Sequence, residues 1–296
     1  MKVLLTGATG LLGQAIWKFL DEEYEIIPVS LSGKNNTISC DLRDENQVAE
    51  LINHYRPELI IHSAAITDVD FCEREPKLAH DVNTIGTRNL SWYGSKIHSA
   101  FIYISTDYVF DGEKNLPYTE EDEPQPINVY GISKLGGERY VSYFMEEYFI
   151  FRTSFLFGEY KDNFITMCIQ KLAAKEKVTV ANDQIISPTY VDDFAWALKA
   201  FLKKVRIPQT DSIYGIYHLV NQGNCSRYDL AMEVARILNY DTNSVVGVSL
   251  NQIPKDAKRP LFSALNCDKF QKFTCLPMPA WEQALNKFLF QYVKKG

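Results

Sequence analysis

Tyr130 and Lys134 are the two side chains in this sequence best suited to acid–base chemistry. They lie four residues apart in the run YGISK, and on a helix that spacing puts both side chains on one face. A neighbouring ammonium favours the phenolate, so the spacing predicts that Lys134 lowers the pKa of Tyr130 from its usual value of about 10. Tyr130 would then work as an acid or base near neutral pH. The chain has seventeen tyrosines, so one such spacing is expected by chance, and the pair needs support from other positions.

A glycine-rich turn near the N-terminus gives that support. The run from Gly7 to Gly13, GATGLLG, follows the short apolar segment 3–5 and precedes a segment with helical spacing of apolar residues. Glycines allow a tight turn and a close approach of the backbone to a pyrophosphate, and the N-terminus of the next helix offers free N–H groups to the anion. Such a turn can also be purely structural, but its place directly after the first strand favours a dinucleotide site.

The segment after the second predicted strand indicates which dinucleotide would bind. Sites for NAD usually carry an acid there for the ribose 2′-hydroxyl, whereas no Asp or Glu occurs between Glu25 and Asp41. The segment from Ser30 to Lys34 offers hydroxyls and a cation instead, which suits a 2′-phosphate. We therefore expect NADPH, with NADH possible, and expect Asp41 and Leu42 to flank the adenine.

The elements that must position these groups alternate between short apolar strands and helical segments. That order is typical of a parallel α/β sheet. Strands are predicted at 3–5, 26–29, 38, 59–62, 101–104, 149–151, 178–180 and 217–220, and helices at 12–20, 48–55, 75–98, 130–148, 162–175, 191–204, 228–238 and 280–292.

The predicted fold class is α/β, a Rossmann-type doubly wound parallel sheet with a smaller mixed α/β C-terminal substrate lobe. We expect the dinucleotide-binding domain to comprise residues 1–152 and about 190–221. The substrate-binding lobe would comprise residues 153–189 and 222–296.

Composition excludes several classes of function. The chain has 296 residues, 46% of them hydrophobic, and a formal net charge of −6. A nucleic-acid or anionic-membrane binder needs a basic surface, so neither partner is expected. No apolar run approaches the length of a membrane span, and the first residues lack a signal-peptide core. The six scattered cysteines form no CxxC pair and indicate reduced thiols. We expect a cytoplasmic protein.

Several longer motifs carry a resemblance to a known family. Together with the glycine turn and the Tyr130–Lys134 pair, the residues that follow the fifth strand, Ser105-Thr106-Asp107, resemble the extended short-chain dehydrogenase/reductases. The chain is further similar to the dTDP-4-dehydrorhamnose reductases, from residue 1 to about 290, in the runs STDYVFDG at 105–112, NVYG at 128–131, RTS at 152–154, DQ at 183–184, SPT at 187–189 and RP at 259–260, with Ser263.

The resemblance implies a reaction and a role for each matched residue. Members of that family reduce the C4 ketone of dTDP-4-dehydro-L-rhamnose with NAD(P)H. Tyr130 would protonate the forming alkoxide, Lys134 would hold the nicotinamide ribose, and Thr106 would hydrogen-bond the substrate oxygen. The implied cofactor-binding residues are Gly7, Thr9, Gly10, Leu11, Leu12, Gly13, Asp41, Leu42, Ala64, Ala65 and Thr67, together with Tyr130 and Lys134. The implied substrate-binding residues are Thr106, Asp107, Phe155 and Asn163.

Departures from the family pattern leave the sugar open. The family commonly has a tryptophan where this chain has Phe155, and a glycine where it has Ile186. Some relatives hold magnesium through an acid of the first helix, but this helix has none before Asp21, so we expect no metal. The alternatives are another nucleotide-sugar reductase or epimerase, or a regulatory subunit like that of methionine adenosyltransferase, which has a similar STDYVFDG run. A homodimer is possible.

Three groups of charged residues have weaker interpretations. Asp192 and Asp193 are expected to cap the following helix. The acidic run at 120–123 is expected to form a solvated loop. Lys255, Lys258 and Arg259 could bind a diphosphate or could be ordinary surface charge.

Overall fold

Seven parallel strands form the central sheet. The computed structural model describes residues 1–205 and 213–295. Seven of the thirteen strands in these residues belong to the central sheet, and the other six form short pairs elsewhere. The strands are β1 (Lys2–Thr6), β2 (Glu25–Ser30), β3 (Ile38–Ser39), β4 (Leu59–His62), β5 (Ala100–Thr106), β6 (Tyr148–Thr153), β7 (Leu156–Phe157), β8 (Val178–Ala181), β9 (Ile185–Ile186), β10 (Thr189–Tyr190), β11 (Gly215–His218), β12 (Cys225–Ser226) and β13 (Val245–Val248). The order in the sheet is β11-β6-β5-β4-β1-β2-β3, with every pair parallel. The predicted doubly wound sheet is confirmed.

Helices connect these strands and complete the smaller lobe. They are α1 (Leu11–Leu20), α2 (Glu45–Tyr55), α3 (Val69–Arg74), α4 (Pro76–His80), α5 (Gly86–Lys96), α6 (Val129–Phe144), α7 (Phe164–Ala173), α8 (Val191–Val205), α9 (Arg227–Ile237), α10 (Asp268–Thr274) and α11 (Trp281–Lys295). A π-helical turn, Asp81–Ile85, joins α4 to α5. Because all sheet strands are parallel, the loops that follow β1, β2, β4, β5 and β6 meet at one edge, where ligands bind in such folds.

One predicted helix was wrong in its extent. The expected single helix over 75–98 is divided into α4, the π-helical turn and α5, and α3 precedes it. Glu75 has a non-helical backbone (φ −123°, ψ 59°) that ends α3, and Pro76 starts α4 at the position where its missing N–H costs nothing. Helix α6 also ends earlier than expected, at Phe144. The strand expected at 178–180 is present as β8, but helix α10 and the short strands β7, β9, β10, β12 and β13 were not predicted.

Of the four apolar clusters in the described residues, two show how the sheet and the smaller lobe are packed. The first fills the space between the sheet and helices that include α1 and α8, and it takes in residues 265–278 as well. The second joins β7, α7, α9 and α11 in the smaller lobe. The predicted division into 1–152 with 190–221 and 153–189 with 222–296 stays a prediction, and residues 206–212 of it lie outside the described residues. Helix α10, placed in the lobe by that division, packs against the sheet side.

Helix α6 is held to the sheet by a buried ion pair. Glu138 accepts hydrogen bonds from Nε (2.9 Å) and Nη2 (2.7 Å) of Arg152 on β6, and it also accepts one from the hydroxyl of Ser105 on β5. The helix approaches its neighbours so closely that a Cβ at Gly131 would lie 2.1 Å from the carbonyl oxygen of Tyr108. The position of α6 relative to β5 and β6 is therefore tightly fixed.

The acidic residues at 192–193 and in the run 120–123 make contacts that the sequence did not indicate. Asp192 and Asp193 lie in the first turn of α8, but Asp192 binds Lys18 at 3.1 Å and Asp193 binds Lys287 at 2.7 Å. They tie the helix to other elements instead of capping it. Glu120, expected in a solvated loop, accepts the backbone N–H of the last residue of β11 at 2.7 Å.

No described helix has the length and apolar character needed to cross a membrane. All six cysteines are free thiols, and five of them are buried. Burial of the thiols agrees with the interpretation made from their spacing.

Replacement of the buried carboxylate tests the ion pair that holds α6. Glu138→Gln leaves the guanidinium of Arg152 buried without its countercharge, and we expect the free energy of unfolding to fall by about 3–5 kcal/mol. Glu23→Gln is the control, because Glu23 forms ion pairs with Lys199 and Lys203 at the surface, where loss of a pair costs about 0–1 kcal/mol. Chemical unfolding measures both, and equal losses would contradict the structural role given to Glu138.

Candidate active site

The glycine turn leaves the N-terminus of α1 open. Gly10 is the N-cap residue and provides no side-chain hydrogen bond, and the first turn has no acidic residue. A Cβ at Gly13 would lie 2.0 Å from the carbonyl oxygen of Gly7, so only glycine permits this packing. The backbone N–H groups of Leu11 and Leu12 and the positive end of the helix dipole are therefore available to an anion.

A cavity of about 440 Å³ lies beside this turn at the carboxyl edge of the sheet. Its lining includes seven of the residues expected to hold a cofactor: Gly7, Thr9, Gly10, Asp41, Leu42, Ala64 and Ala65. Leu11, Leu12 and Gly13 form the start of α1 beside it. Thr67 is exposed in the loop after β4 and is not part of this lining. The assignment of these residues to a cofactor stays a prediction.

A cation that the sequence reasoning missed lies at the edge of this cavity. Arg43 is part of the cavity lining, whereas the exposed Lys34 is not. The guanidinium of Arg43 binds both oxygens of Asp41, and this hydrogen bonding holds the pKa of Asp41 below its usual value. Arg43 is therefore better placed than Lys34 to contact a 2′-phosphate, and an arginine two residues after Asp41 was the available signal.

Asn83 joins the loop after β4 to the helix that carries Tyr130. Its carboxamide oxygen accepts from the N–H of Ile66 (2.8 Å), and its amide nitrogen donates to the carbonyl of Ile66 (3.0 Å) and the hydroxyl of Ser133 (2.9 Å). The Ser133 hydroxyl donates in turn to the carbonyl of Tyr130 at 2.8 Å. These hydrogen bonds fix the cavity wall relative to α6.

Tyr130 and Lys134 both lie buried on α6, whose first turn is capped by the side chain of Asn128 at 2.8 Å from the N–H of Gly131. Burial raises the pKa of Tyr130 above its usual value, and the Thr106 hydroxyl beside it opposes that rise. Burial lowers the pKa of Lys134 to about 7. The Lys134 ammonium lies 4.1 Å from the centre of the Tyr103 ring.

The expected effect of Lys134 on Tyr130 is therefore wrong for the protein alone. Lys134 is not among the main groups that set the pKa of Tyr130, and loss of contact with water outweighs any neighbouring charge. The phenol consequently keeps its proton throughout the physiological range. Tyr130 is suited to donate a proton rather than to take one.

Hydroxyl groups surround a buried carboxylate next to the phenol. Asp107 accepts from the hydroxyls of Thr106 (3.1 Å) and Ser154 (2.9 Å), and the hydroxyl of Ser263 also faces it. Burial raises the pKa of Asp107 to about 6 in spite of these groups. The Tyr108 ring packs edge to face on Tyr130, with 5.9 Å between ring centres. Ser154, Ser263 and Tyr108 belong to motifs noted above, but no role for them was foreseen.

The two other expected substrate contacts differ in their surroundings. Phe155 has a left-handed backbone (φ 43°) and packs against Phe164, with 5.3 Å between ring centres. Asn163 caps α7, and its side chain binds the N–H groups of Ile165 and Thr166 and two nearby carbonyls. All its hydrogen-bonding groups thus have partners in the chain, and its contact with a substrate stays a prediction.

No cluster of three or more His, Cys, Asp or Glu side chains that could hold a metal occurs in residues 1–205 and 213–295. The expectation of no metal stays a prediction.

Comparisons with known proteins agree with this geometry. The family model described as the RmlD substrate binding domain matches residues 1–294. The chain is 34% identical to dTDP-4-dehydrorhamnose reductase of Aggregatibacter actinomycetemcomitans, over 96% of this chain and 97% of that protein. It is 31% identical to methionine adenosyltransferase 2 subunit beta of Danio rerio, over 91% of this chain and 84% of that protein.

A solved structure gives the same result. The crystal structure of dTDP-4-dehydrorhamnose reductase from Bacillus anthracis in complex with NADP superposes with a TM-score of 0.90, at 36% identity, over 98% of this chain and 99% of that one. The family model and these relatives cover the whole length of the fold and not only its nucleotide-binding half. The chain belongs to the dTDP-4-dehydrorhamnose reductase family, within the extended short-chain dehydrogenase/reductases.

Proposed function

We propose that this oxidoreductase reduces the C4 ketone of dTDP-4-dehydro-L-rhamnose to give dTDP-L-rhamnose, with NADPH as the preferred reductant and NADH as a possible one. The observation that carries the proposal is the buried Tyr130 phenol, with Thr106 beside it and Lys134 on the same helix. The relatives named dTDP-4-dehydrorhamnose reductase, at 34% and 36% identity, support this substrate. The complex of one of them with NADP supports the cofactor.

The chain's own residues supply the proton and the binding groups. Tyr130 gives its proton to the carbonyl oxygen as that oxygen gains negative charge, and the Thr106 hydroxyl hydrogen-bonds the same oxygen. Lys134 places an ammonium beside them, which favours the tyrosinate that remains after proton transfer. Between turnovers, solvent must return a proton to Tyr130.

The residues present fit a dinucleotide at the cavity beside the glycine turn. The N–H groups at the start of α1 would hold its pyrophosphate, and Arg43 with Ser30 would meet the 2′-phosphate. When bound, the reduced cofactor supplies the hydride to the carbonyl carbon. Lys134 would hold its nicotinamide ribose.

The direct test mixes the protein with NADPH and dTDP-4-dehydrorhamnose, follows the loss of reduced nicotinamide, and identifies the sugar product. Formation of dTDP-L-rhamnose supports the proposal. Turnover of a different nucleotide-sugar alone would indicate another reductase, and a product formed without net loss of NADPH would indicate an epimerase.

A regulatory subunit is the second candidate, because the chain is similar to methionine adenosyltransferase 2 subunit beta. That function requires no turnover, and it requires binding to a synthetase partner. Catalytic reduction together with the absence of any effect on a methionine adenosyltransferase would rule it out.

Homodimer formation and a cytoplasmic location are further proposals, which light scattering and cell fractionation can test.

Removal of the phenolic hydroxyl tests the proton donor. Tyr130→Phe should reduce kcat by about 10²–10⁴-fold, the usual contribution of a positioned general acid, without weakening NADPH binding. Tyr143→Phe is the matched control, since Tyr143 lies on the same helix with 81% of its surface exposed and should not change kcat. An unchanged rate in Tyr130→Phe would remove Tyr130 from the mechanism.

The pH dependence of kcat/KM tests Lys134. Its pKa of about 7 means that the ammonium is present below pH 7 and lost above it. We expect kcat/KM to fall as the pH rises through about 7, since this quantity reports ionisations of the free enzyme. Lys134→Arg keeps a positive charge to high pH and should lose that fall. The same fall in both proteins would assign it to another group.

Two substitutions at the adenosine end test the cofactor preference. Arg43→Gln should weaken NADPH binding by about tenfold or more, the size of a lost charge-assisted hydrogen bond, and should weaken NADH binding much less. Lys34→Gln should change neither affinity, because Lys34 lies outside the cavity. Fluorescence titration measures both dissociation constants. Equal effects of Arg43→Gln on NADPH and NADH would exclude Arg43 as the group that reads the 2′-phosphate.

A further inference from the structure

Arg227 lies in the smaller lobe, and its guanidinium is partly buried between two aromatic rings. Its guanidinium carbon is 5.0 Å from the centre of the Phe155 ring and 5.9 Å from that of Phe164. The Nε atom is buried and has no hydrogen-bond partner. Within the described part of the chain, no carboxylate lies at ion-pair distance from it. A buried donor without an acceptor is costly, so this arrangement needs an explanation.

The position of Arg227 relates it to the proton donor. Phe155, on which it stacks, directly follows Ser154, the residue whose hydroxyl binds Asp107. The charge of Arg227 also acts on Tyr108, and the Tyr108 ring packs on Tyr130. Arg227 is therefore linked to the surroundings of the phenol through Phe155 and Tyr108.

Two other arginines near this cleft are already bound to partners. Nη1 of Arg259 donates to Asp70 and to the carbonyl of Ala257, both at 2.8 Å, so the basic loop considered from the sequence has its arginine engaged. Arg152 pairs with Glu138. Arg227 differs from both because its donors have no acceptor among residues 1–205 and 213–295.

An acid on its own helix does not supply that acceptor. Asp229, two residues away, is held by the N–H (3.1 Å) and the hydroxyl (2.6 Å) of Ser226 in the capping of α9. The Phe155 and Phe164 rings meanwhile hold the guanidinium in place, as aromatic faces do for arginine. The result is a positioned cation that can accept an external anion without loss of an internal bond.

We propose that Arg227 binds the diphosphate that links the nucleoside to the sugar of the substrate, an inference that rests on the proposed function. C1 and C4 lie at opposite ends of a pyranose ring. With C4 at Tyr130, the diphosphate on C1 is therefore displaced from the phenol by one sugar ring. Phe155, expected against the sugar, contacts Arg227. An arginine is suited to this task because its planar fork can bind two phosphate oxygens at once.

Binding of dTDP, the substrate without its sugar, tests the proposal independently of turnover. Isothermal titration of the NADP-loaded protein should show that Arg227→Gln weakens dTDP binding by about 10- to 100-fold, the range for hydrogen bonds to charged groups. Arg227→Lys should lose less affinity than Arg227→Gln, because it keeps the charge but not the planar fork. Binding of NADPH should be unchanged in both variants. Arg236→Gln is the matched control, since Arg236 lies on the same helix but is exposed and paired with Glu233, and it should bind dTDP like the wild type.

The salt dependence and a parallel turnover assay separate the remaining outcomes. Binding of dTDP to the wild type should weaken with added salt more steeply than binding to Arg227→Gln. Equal dTDP affinity in Arg227→Gln and the wild type would overturn the proposal, and so would equal losses in the Gln and Lys variants, which would indicate packing alone.

Turnover of dTDP-4-dehydrorhamnose by the wild type, with no effect of the Arg227 substitutions on dTDP binding, would overturn this proposal alone. Tight dTDP binding that depends on Arg227, without any turnover of that sugar, would overturn only the proposed function. Failure of the wild type to bind dTDP would overturn both.

Discussion

The buried ion pair between Glu138 and Arg152 fixes the helix on which the proposed chemistry depends. It joins α6 to β6, and through Ser105 it also joins α6 to β5. Tyr130 and Lys134 are thereby held at the carboxyl edge of the sheet, next to the loops that contain Thr106 and Asp107. A charged pair removed from water contributes little net stability, but its geometry permits little displacement. The sheet that places the glycine turn after β1 thus also places the phenol, through β5 and β6.

Burial sets the direction of proton transfer at this site. It raises the pKa of Tyr130 and lowers that of Lys134, so the protein alone contains a phenol that keeps its proton and an amine that releases its own near pH 7. Both shifts have one cause, the loss of water around an ionisable group. Reduction of a ketone requires a proton donor, and a protonated tyrosine is already in the required state. The neighbouring ammonium matters at the moment when the phenol becomes an anion.

Sequence patterns predicted the framework because they report local physics. Continuous apolar runs gave the buried parallel strands, and GATGLLG gave the turn before α1. Features that depend on long-range packing were beyond the sequence. The contact of Ser154 with Asp107 joins residues 47 positions apart, and the pKa of Tyr130 depends on burial that no spacing reveals. Lys34 was chosen and Arg43 was overlooked because the path of the loop after β2 could not be foreseen. The helix over 75–98 was predicted whole because helical periodicity continues through the π-helical turn.

The most direct test of the account is a crystal structure of the protein with NADP and dTDP-L-rhamnose. The account predicts the Tyr130 hydroxyl within hydrogen-bond reach of the C4 hydroxyl of the sugar, about 2.6–3.2 Å, with the nicotinamide ring on C4 and its pyrophosphate at the start of α1. A C4 hydroxyl outside the reach of Tyr130, or a dinucleotide bound elsewhere than at the glycine turn, would contradict it.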